Sequence, residues 1–324
     1  MPIVYFRIAA RGTPRALRAP ALERLLARAD GPSSSSSWRT EAFRAIAVDA
    51  ADPPPIAVAQ LRATGDTARG GWAALATPVH LVAGLSSVHL PADGVLEIDA
   101  AEADTLVAEF NRSFGGGGSR LVRGVGSGLL CVFEARLAAQ TTSPDEASGA
   151  DVWAHQARGE GSAELRRLAT EIEMWLFDHA LNAARQARGL PVISALWFWG
   201  AGALDAPQPR VAGWTAGDDA LFSALDSRTQ YPAGAGSGGS EPKSGVVVIA
   251  AWPGTAAWEE SEQRWLRPAL ADLEAGHLSR LDISAATRSY SLSARGLRRF
   301  WRRPQPWWKS FDIDAISDEQ PRGD

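Results

Sequence analysis

Short, almost continuously apolar runs alternate with helix-like stretches along much of this chain. The runs PIVYFRIAA (2–10), VISALWFW (192–199) and VVVIAAW (246–252) are apolar on both faces of an extended strand. Strands of this kind are typical of a parallel sheet that helices cover on both sides. The closing pair, LSRLDIS (278–284) and RSYSLS (288–293), instead indicates an antiparallel edge. We therefore predict an α/β fold with a mainly parallel or mixed sheet and flanking helices.

Changes in this pattern predict four regions. Residues 1–72 are expected to form an N-terminal α/β segment that packs with the C-terminal half. Residues 73–140 contain short β runs, a hairpin signal and an amphipathic helix over 101–114, which predict a smaller α+β subdomain. The main α/β domain is predicted over 163–310, and an acidic tail over 311–324.

Net charge and cysteine content exclude several kinds of partner and site. The 324 residues carry a formal net charge of -4, so the chain as a whole does not attract nucleic acid. Cys131 is the only cysteine, which excludes an intrachain disulfide and favours a buried thiol in a reducing compartment. Because Arg7 interrupts the first apolar run, we expect no signal peptide, and no run is long enough for a membrane span. These features predict a cytoplasmic protein.

The densest polar cluster lies on a helix predicted over residues 163–188. The middle of this helix is apolar on nearly every side, which predicts that it is buried. It nevertheless carries Asp178, His179, Asn182 and Arg185. A buried polar group without a hydrogen bond costs about 1–3 kcal/mol. Either a structural network or a bound ligand must satisfy these groups, and the sequence leaves both alternatives open.

The strand that follows ends in WFWGAG (197–202). In open α/β sheets, ligands bind beyond the carboxyl ends of strands, and glycines there let a ligand approach the backbone. We expect this stretch to form the wall and floor of a pocket, with a core strand and an ordinary turn as the alternative. The residues concerned are Trp197, Trp199, Gly200 and Gly202.

Sequence patterns for the common cofactors are absent. RGVGSG (123–128) lies between two predicted strands and opens no helix, so it fails the test for a dinucleotide-binding loop. The histidines show no HxH or HExxH spacing, and no G-x-S-x-G elbow occurs. We therefore predict no cofactor.

Residues 171–202, EIEMWLFDHALNAARQARGLPVISALWFWGAG, resemble the signature of RpfE-type bacterial regulatory proteins, a family commonly labelled phosphoglycerate mutase. The matching positions are Glu171, Met174, Leu176, His179, Asn182, Arg185, Gly189, Ser194, Trp197, Trp199, Gly200 and Gly202. Three positions differ from the family pattern: Glu173 replaces Gln, Phe177 replaces His and Ala180 replaces Pro. Residues 75–202 are more distantly similar to archaeal-type cofactor-independent phosphoglycerate mutases.

The resemblance implies an alkaline-phosphatase-like fold and, for the enzymes, two divalent metals that assist a serine nucleophile. The D-G-x-G-D metal-ligand segment of those enzymes is missing here, since residues 2–15 are PIVYFRIAARGTPR. We therefore predict a degenerate, non-catalytic relative that acts as a regulatory or small-molecule-binding protein. The alternative is an active phosphoglycerate mutase or phosphotransferase, and only that alternative would need a divalent metal.

The resemblance also implies which residues would meet a ligand. His179, Asn182 and Arg185 would orient a small phosphorylated or anionic metabolite. His80 would assist them, and Ser194 would lie in the same pocket as the tryptophans and glycines of the strand end.

Residues 294–309, ARGLRRFWRRPQPWWK, form a second cluster in which arginines alternate with aromatic side chains. Such a composition suits RNA, anionic lipid or a protein partner. We predict against nucleic acid, and a third hypothesis is an interaction protein that uses this patch. Its candidate residues are Arg295, Arg298, Arg299, Trp301, Arg302 and Arg303.

Overall fold

The computed structural model describes residues 2–8, 19–34, 37–66, 68, 70–126, 128–226, 228–232, 244–249 and 255–311. The predicted acidic tail beyond Phe311 and the glycine-rich stretch 233–243 lie outside these residues. In chain order the strands are β1 (Ile3–Ile8), β2 (Ser33–Ser34), β3 (Trp72–Val79), β4 (Val82–Ala83), β5 (Val88–His89), β6 (Ser119–Arg123), β7 (Leu129–Phe133), β8 (Ala195–Ala203), β9 (Trp214–Gly217), β10 (Gly245–Ile249), β11 (Arg280–Ala285) and β12 (Arg288–Leu292).

The α-helices in chain order are α1 (Pro20–Arg28), α2 (Trp38–Ile46), α3 (Ile56–Ala63), α4 (Ala100–Phe114), α5 (Pro144–Ala147), α6 (Ser162–Phe177), α7 (Ala180–Ala187), α8 (Ala220–Leu225), α9 (Thr255–Ser261), α10 (Arg267–Glu274) and α11 (Trp307–Ser310). A π-helical turn, Glu262–Leu266, joins α9 to α10. None of the helices in the described ranges is long and apolar enough to cross a membrane.

The chain divides into two compact units. Residues 54–208 form one, the inserted unit, while 1–53 together with 209–324 form the other, the discontinuous unit. The division does not follow the predicted regions, because residues 163–208 group with 54–162 and not with the later chain. Each unit has its own sheet.

In its described part, the discontinuous unit has a six-stranded sheet in the order β2-β12-β11-β1-β10-β9. The four strands β9, β10, β1 and β11 run parallel, whereas β12 pairs antiparallel with β11 and with β2. In the register of β1, Val4 lies beside Gly245 and Leu281. Phe6 and Trp258 are buried in the core that α1 and α10 help to cover. The predicted mixed sheet with an antiparallel closing pair is therefore confirmed.

The described part of the inserted unit has a four-stranded antiparallel sheet in the order β6-β7-β3-β8. Helices α4 and α6 cover the face that carries Ala74 and Ala76, and α3 lies on the other face beside Leu75. The prediction that VISALWFW joins a parallel sheet is wrong, because β8 pairs antiparallel with β3. Helices cover both faces of β8, and this alone makes the strand apolar on both sides. The apolar run therefore does not indicate whether β8 is parallel or antiparallel to β3.

Residues 163–188, predicted as one helix, form two. α6 ends at Phe177, and α7 begins at Ala180. Between them Asp178 has φ and ψ of -103° and 17°, and His179 has an extended ψ of 134°. The break carries neither proline nor glycine, so no local sequence signal marks it.

Two large apolar side chains near the C-terminal end of α6 are exposed. Met174 and Phe177 are 65% and 84% exposed, whereas Ile172 and Leu176 face the core. The prediction that the middle of this helix is buried on nearly every side is therefore wrong. Of the two exposed side chains, Phe177 lines the cavity described below.

Candidate functional site

His179 joins α6 to α7 and caps the second helix. Its Nδ1 accepts a hydrogen bond from the backbone N–H of Leu181 (3.2 Å), so the neutral ring carries its proton on Nε2. Nε2 lies 2.8 Å from Oε2 of Glu109 on α4, but it is not aligned for a hydrogen bond. The ring also packs edge-on against Trp175 of α6, with centroids 4.4 Å apart. His179 therefore holds the start of α7 against both α4 and α6.

Asn182 satisfies three backbone groups at once. Its Nδ2 donates to the carbonyl oxygens of Leu176 (2.8 Å) and Ile193 (2.9 Å), and its Oδ1 accepts from the N–H of Ile193 (2.8 Å). The Leu176 carbonyl is one of those at the end of α6 that have no partner within the helix. The buried Asn182 side chain thus ties the end of α6 to the segment that precedes β8.

Arg185 forms a buried ion pair with Glu102. Its Nη1 lies 2.8 Å from Oε2 of Glu102, and its Nε donates to the carbonyl oxygen of Pro191 (2.8 Å). Glu102 also completes the capping box of α4 with Asp99, and its second oxygen accepts from Arg188 (3.2 Å). Arg185 therefore links α7 to the N-terminal end of α4, and its charge is compensated inside the protein.

His80 and Ser194 bind the backbone where β3 and β8 meet the neighbouring turns. Nδ1 of His80 donates to the carbonyl oxygen of Val192 (3.0 Å), since a carbonyl can only accept. Oγ of Ser194 accepts from the backbone N–H of Leu81 (3.1 Å). Both side chains hold the segment before β8 against the chain that leaves β3.

The two tryptophans of the signature also find partners inside the unit. Nε1 of Trp197 donates to the carbonyl oxygen of Thr142 (2.8 Å), and Nε1 of Trp199 donates to Oγ1 of Thr77 (2.7 Å). Trp199 is buried, and Trp197 is half-buried. Their indole N–H groups are therefore satisfied without a ligand.

Gly200 and Gly202 let α3 pack on β8. Gly200 has a φ of 61°, in a bulge where β8 carries one extra residue relative to β3. A Cβ on Gly200 would lie 2.9 Å from Cβ of Ile56, and a Cβ on Gly202 would lie 2.3 Å from Cγ of Pro55. The start of α3, and not a ligand, occupies the space in front of both glycines.

A cavity of about 580 Å³ lies beside the junction of α6 and α7. The end of α6, one side of α7, the β4-β5 hairpin and the segment before β8 form its walls. The predicted site residues that line it are Asp178, His179, Asn182 and Ser194. His80, Arg185, Trp199, Gly200 and Gly202 do not line it.

Two residues that line the cavity were not among the predicted site residues, although the comparison with the family pattern marked both positions as unusual. Glu173 and Phe177 line the cavity, and both differ from the family pattern. Gln186 and the hairpin residues Leu81 and Val88 complete much of the lining, and no sequence signal identifies them. Two of the three positions that depart from the family pattern thus face the cavity, whereas Ala180, the third, does not line it.

Carboxylates give this cavity its charge. Among the described residues its ionisable lining consists of Glu173, Asp178 and His179, without any arginine or lysine. Partial burial raises the pKa of the Glu173 carboxyl, although its side chain remains open to solvent on one side. The C-terminal end of α6 meets the N-terminal end of α7 here, so the partial negative charge of the first and the partial positive charge of the second offset each other. The two carboxylates therefore set a negative potential.

A second, smaller cavity of about 130 Å³ adjoins the first. The two cavities share Leu81 and Glu173 in their linings. Leu165, Trp197 and Phe198 contribute apolar walls to the smaller one. His155, Arg166 and Thr170 contribute polar side chains to it. Glu173 thus borders two cavities that both combine apolar and polar walls.

The described residues contain no group of three or more His, Cys, Asp or Glu side chains that could hold a metal ion. Nδ1 of His80 and Nδ1 of His179 already bind backbone groups. The divalent metal of the enzyme alternative stays a prediction.

The predicted interaction patch lies after β12, in the discontinuous unit. Arg299 forms an ion pair with Asp30 (2.6 Å), and Arg302 donates to the carbonyl oxygen of Ala29 (2.9 Å). The other predicted patch residues, Arg295, Arg298, Trp301 and Arg303, are exposed. Two arginines thus hold this segment to the end of α1, and the remaining side chains face solvent.

No protein-family model and no curated protein matches this chain. Among solved structures, a cofactor-independent phosphoglycerate mutase from Thermoplasma acidophilum DSM 1728 is 13% identical, with a TM-score of 0.36 over 90% of this chain and 89% of that one. The PH0037 protein from Pyrococcus horikoshii is 11% identical, with a TM-score of 0.40 over 97% of this chain and 96% of that one. The resemblance to RpfE-type proteins stays a prediction that rests on the signature segment.

Proposed function

We propose that this is a ligand-binding protein whose inserted unit binds a small organic cation, such as an amine on a short hydrocarbon chain. One observation carries the proposal: the cavity beside α6 and α7 is lined by two carboxylates and, among the described residues, by no arginine or lysine. A bound ammonium group would compensate Glu173 and Asp178, whereas a phosphate would meet two like charges.

The apolar walls suit the rest of such a ligand. Leu81, Val88 and Phe177 line the larger cavity. Leu165, Trp197 and Phe198 are apolar walls of the smaller one, which Arg166 also lines. Pockets of this kind combine apolar walls with a few polar groups that fix orientation. A cationic head beside Glu173 would leave its hydrocarbon chain against these walls.

The same geometry favours binding over phosphoglycerate chemistry. Arg185, which the resemblance places against an anionic ligand, is paired with Glu102 and does not line the cavity. Asn182 and Arg185 tie helices and strands together, so a distant relative could share them for structural reasons alone. The matching signature therefore does not require a shared reaction.

The test compares cations with anions by thermal unfolding and calorimetry. The probes are butylamine and spermidine, set against 3-phosphoglycerate with and without Mn²⁺. Free ligand at a hundred times its Kd stabilises the folded state by about 2.7 kcal/mol. For a chain of 324 residues that corresponds to a rise in Tm of about 4 °C. We expect the amines to give such a shift and 3-phosphoglycerate to give none.

Two matched variants localise the binding. Glu173→Gln removes a lining carboxylate and should weaken amine binding about tenfold. Glu171→Gln is the control, because Glu171 lies on the same helix, pairs with Arg167 (2.7 Å) and does not line the cavity. A larger shift with 3-phosphoglycerate than with amines would contradict the proposal. So would metal-dependent interconversion of 2- and 3-phosphoglycerate, which would support the enzyme alternative.

A further inference from the structure

The segment 295–303, here named the Arg/Trp loop, presents two large aromatic side chains to solvent. Phe300 is 78% exposed and Trp301 is 67% exposed. Their rings contact each other edge-on, with centroids 5.5 Å apart and planes at 80°. Isolated apolar side chains are common at protein surfaces, but adjacent exposed aromatic rings indicate a binding surface.

The loop that carries these rings is held in place. Nη1 of Arg299 lies 2.6 Å from Oδ1 of Asp30 and donates to the carbonyl oxygen of Arg28 (3.2 Å). Nη1 of Arg302 donates to the carbonyl oxygen of Ala29 (2.9 Å). These contacts bracket the aromatic pair on both sides along the chain. These contacts with the end of α1 therefore fix the loop in a position that exposes both rings.

Every charged side chain within the Arg/Trp loop is an arginine. The side chains of Arg295, Arg298 and Arg303 are exposed and form no ion pair with the described residues. Residues 294–306 contain no aspartate or glutamate. The surface thus combines an apolar projection with positive charge that no carboxylate of the described residues pairs with, although the whole chain is acidic.

We propose that the Arg/Trp loop docks the protein on an anionic lipid bilayer. Phe300 and Trp301 enter the headgroup region, where aromatic rings are favoured, and the arginines bind the anionic headgroups. The edge-on pair favours lipid over RNA, because nucleic-acid bases stack on flat, open ring faces. The two rings instead form a compact apolar projection. This proposal does not depend on the cavity of the inserted unit.

The experiment is sedimentation of the full chain with lipid vesicles. The probes are vesicles of phosphatidylcholine alone and of phosphatidylcholine mixed with phosphatidylserine. We expect binding to the mixed vesicles only, and we expect added salt to weaken it as it screens the charges. Each arginine near an anionic surface contributes about fivefold to binding. Changing Arg295, Arg298 and Arg303 to Gln together should therefore weaken binding about a hundredfold.

The aromatic contribution has a matched control. Phe300→Ser combined with Trp301→Ser should abolish binding, and because both side chains are exposed the variant should keep the Tm of the parent. Trp153→Ser removes a tryptophan that is 66% exposed in the inserted unit and should bind as the parent does. Failure of the parent to sediment with phosphatidylserine vesicles would overturn the proposal, as would undiminished binding by the double variant. RNA binding that is tighter than vesicle binding and needs the same residues would also overturn it.

Discussion

Arg185 and Glu102 lie 83 residues apart in sequence, yet their side chains form a buried ion pair with an N–O distance of 2.8 Å. Arg185→Met would leave the Glu102 carboxylate buried without its main partner. Removing one partner of a buried pair costs about 3–5 kcal/mol, so we expect the free energy of unfolding to fall by that amount in urea titrations. Adding Glu102→Gln should restore part of the loss, because Gln keeps the capping box without the charge. A loss below about 1 kcal/mol in Arg185→Met would show that the pair has little structural role.

The bulge in β8 gives a second prediction. Gly200 and Gly126 both have positive φ, 61° and 67°, but only Gly200 has a close neighbour, Ile56. Gly126→Ala should therefore cost only the left-handed strain, about 1–2 kcal/mol. Gly200→Ala should cost about 1–3 kcal/mol more, because its Cβ overlaps Ile56 as well. Equal unfolding free energies for the two variants would mean that α3 does not pack on this strand as described.

Ligand binding in the cavity should depend on pH through Glu173. Burial raises the pKa of this carboxyl, and a bound cation favours its deprotonated form. Amine affinity should accordingly increase as pH rises through the raised pKa and level off above it, with proton release on binding. Calorimetry in buffers of different ionisation enthalpy measures that release. Asp178 and His179 also line the cavity, so the comparison with Glu173→Gln isolates the contribution of Glu173. If Glu173→Gln released as many protons on amine binding as the parent, the protons would come from a group other than Glu173, contrary to this prediction.

Cys131 offers a probe of the inserted unit. It lies in β7, is fully buried as the run LLCVF indicates, and burial raises the pKa of its thiol. Because the thiolate is the reactive form, we expect dithionitrobenzoate to leave the native protein unlabelled. Labelling in increasing urea should follow the unfolding of this unit. Rapid stoichiometric labelling in native buffer would show that β7 is open to solvent, contrary to its position in the sheet.

Patterns with a local cause were predictable from the sequence. The amphipathic period over 101–114 predicted α4, whose bounds are Ala100–Phe114. The alternation in 278–293 predicted the antiparallel pair of β11 and β12. In both cases the apolar spacing follows directly from the geometry of a helix or a strand.

Features that depend on distant partners were not predictable. His179 is not a preferred capping residue, and its contacts with Glu109 and Trp175 exist only in the folded chain. The partner of Arg185 is likewise far away in sequence, so the polar residues of this helix left a ligand and a structural network equally open, and the structure has an ion pair. The charge of the cavity could not be predicted either. Glu173 and Asp178 line one cavity only because the β4-β5 hairpin and α7 form its other walls.

The discontinuous unit has a consequence for how the nascent chain folds. The backbone N–H of Ile3 donates to Oγ of Ser244, 241 residues later, and β1 pairs only with β10 and β11 among the described strands. During synthesis β1 therefore leaves the ribosome long before either neighbour exists, while residues 54–208 can complete their own sheet first. Such long-range pairing is slow to form. Until it forms, β1 is an apolar strand with two unpaired edges, and such edges favour pairing with other chains.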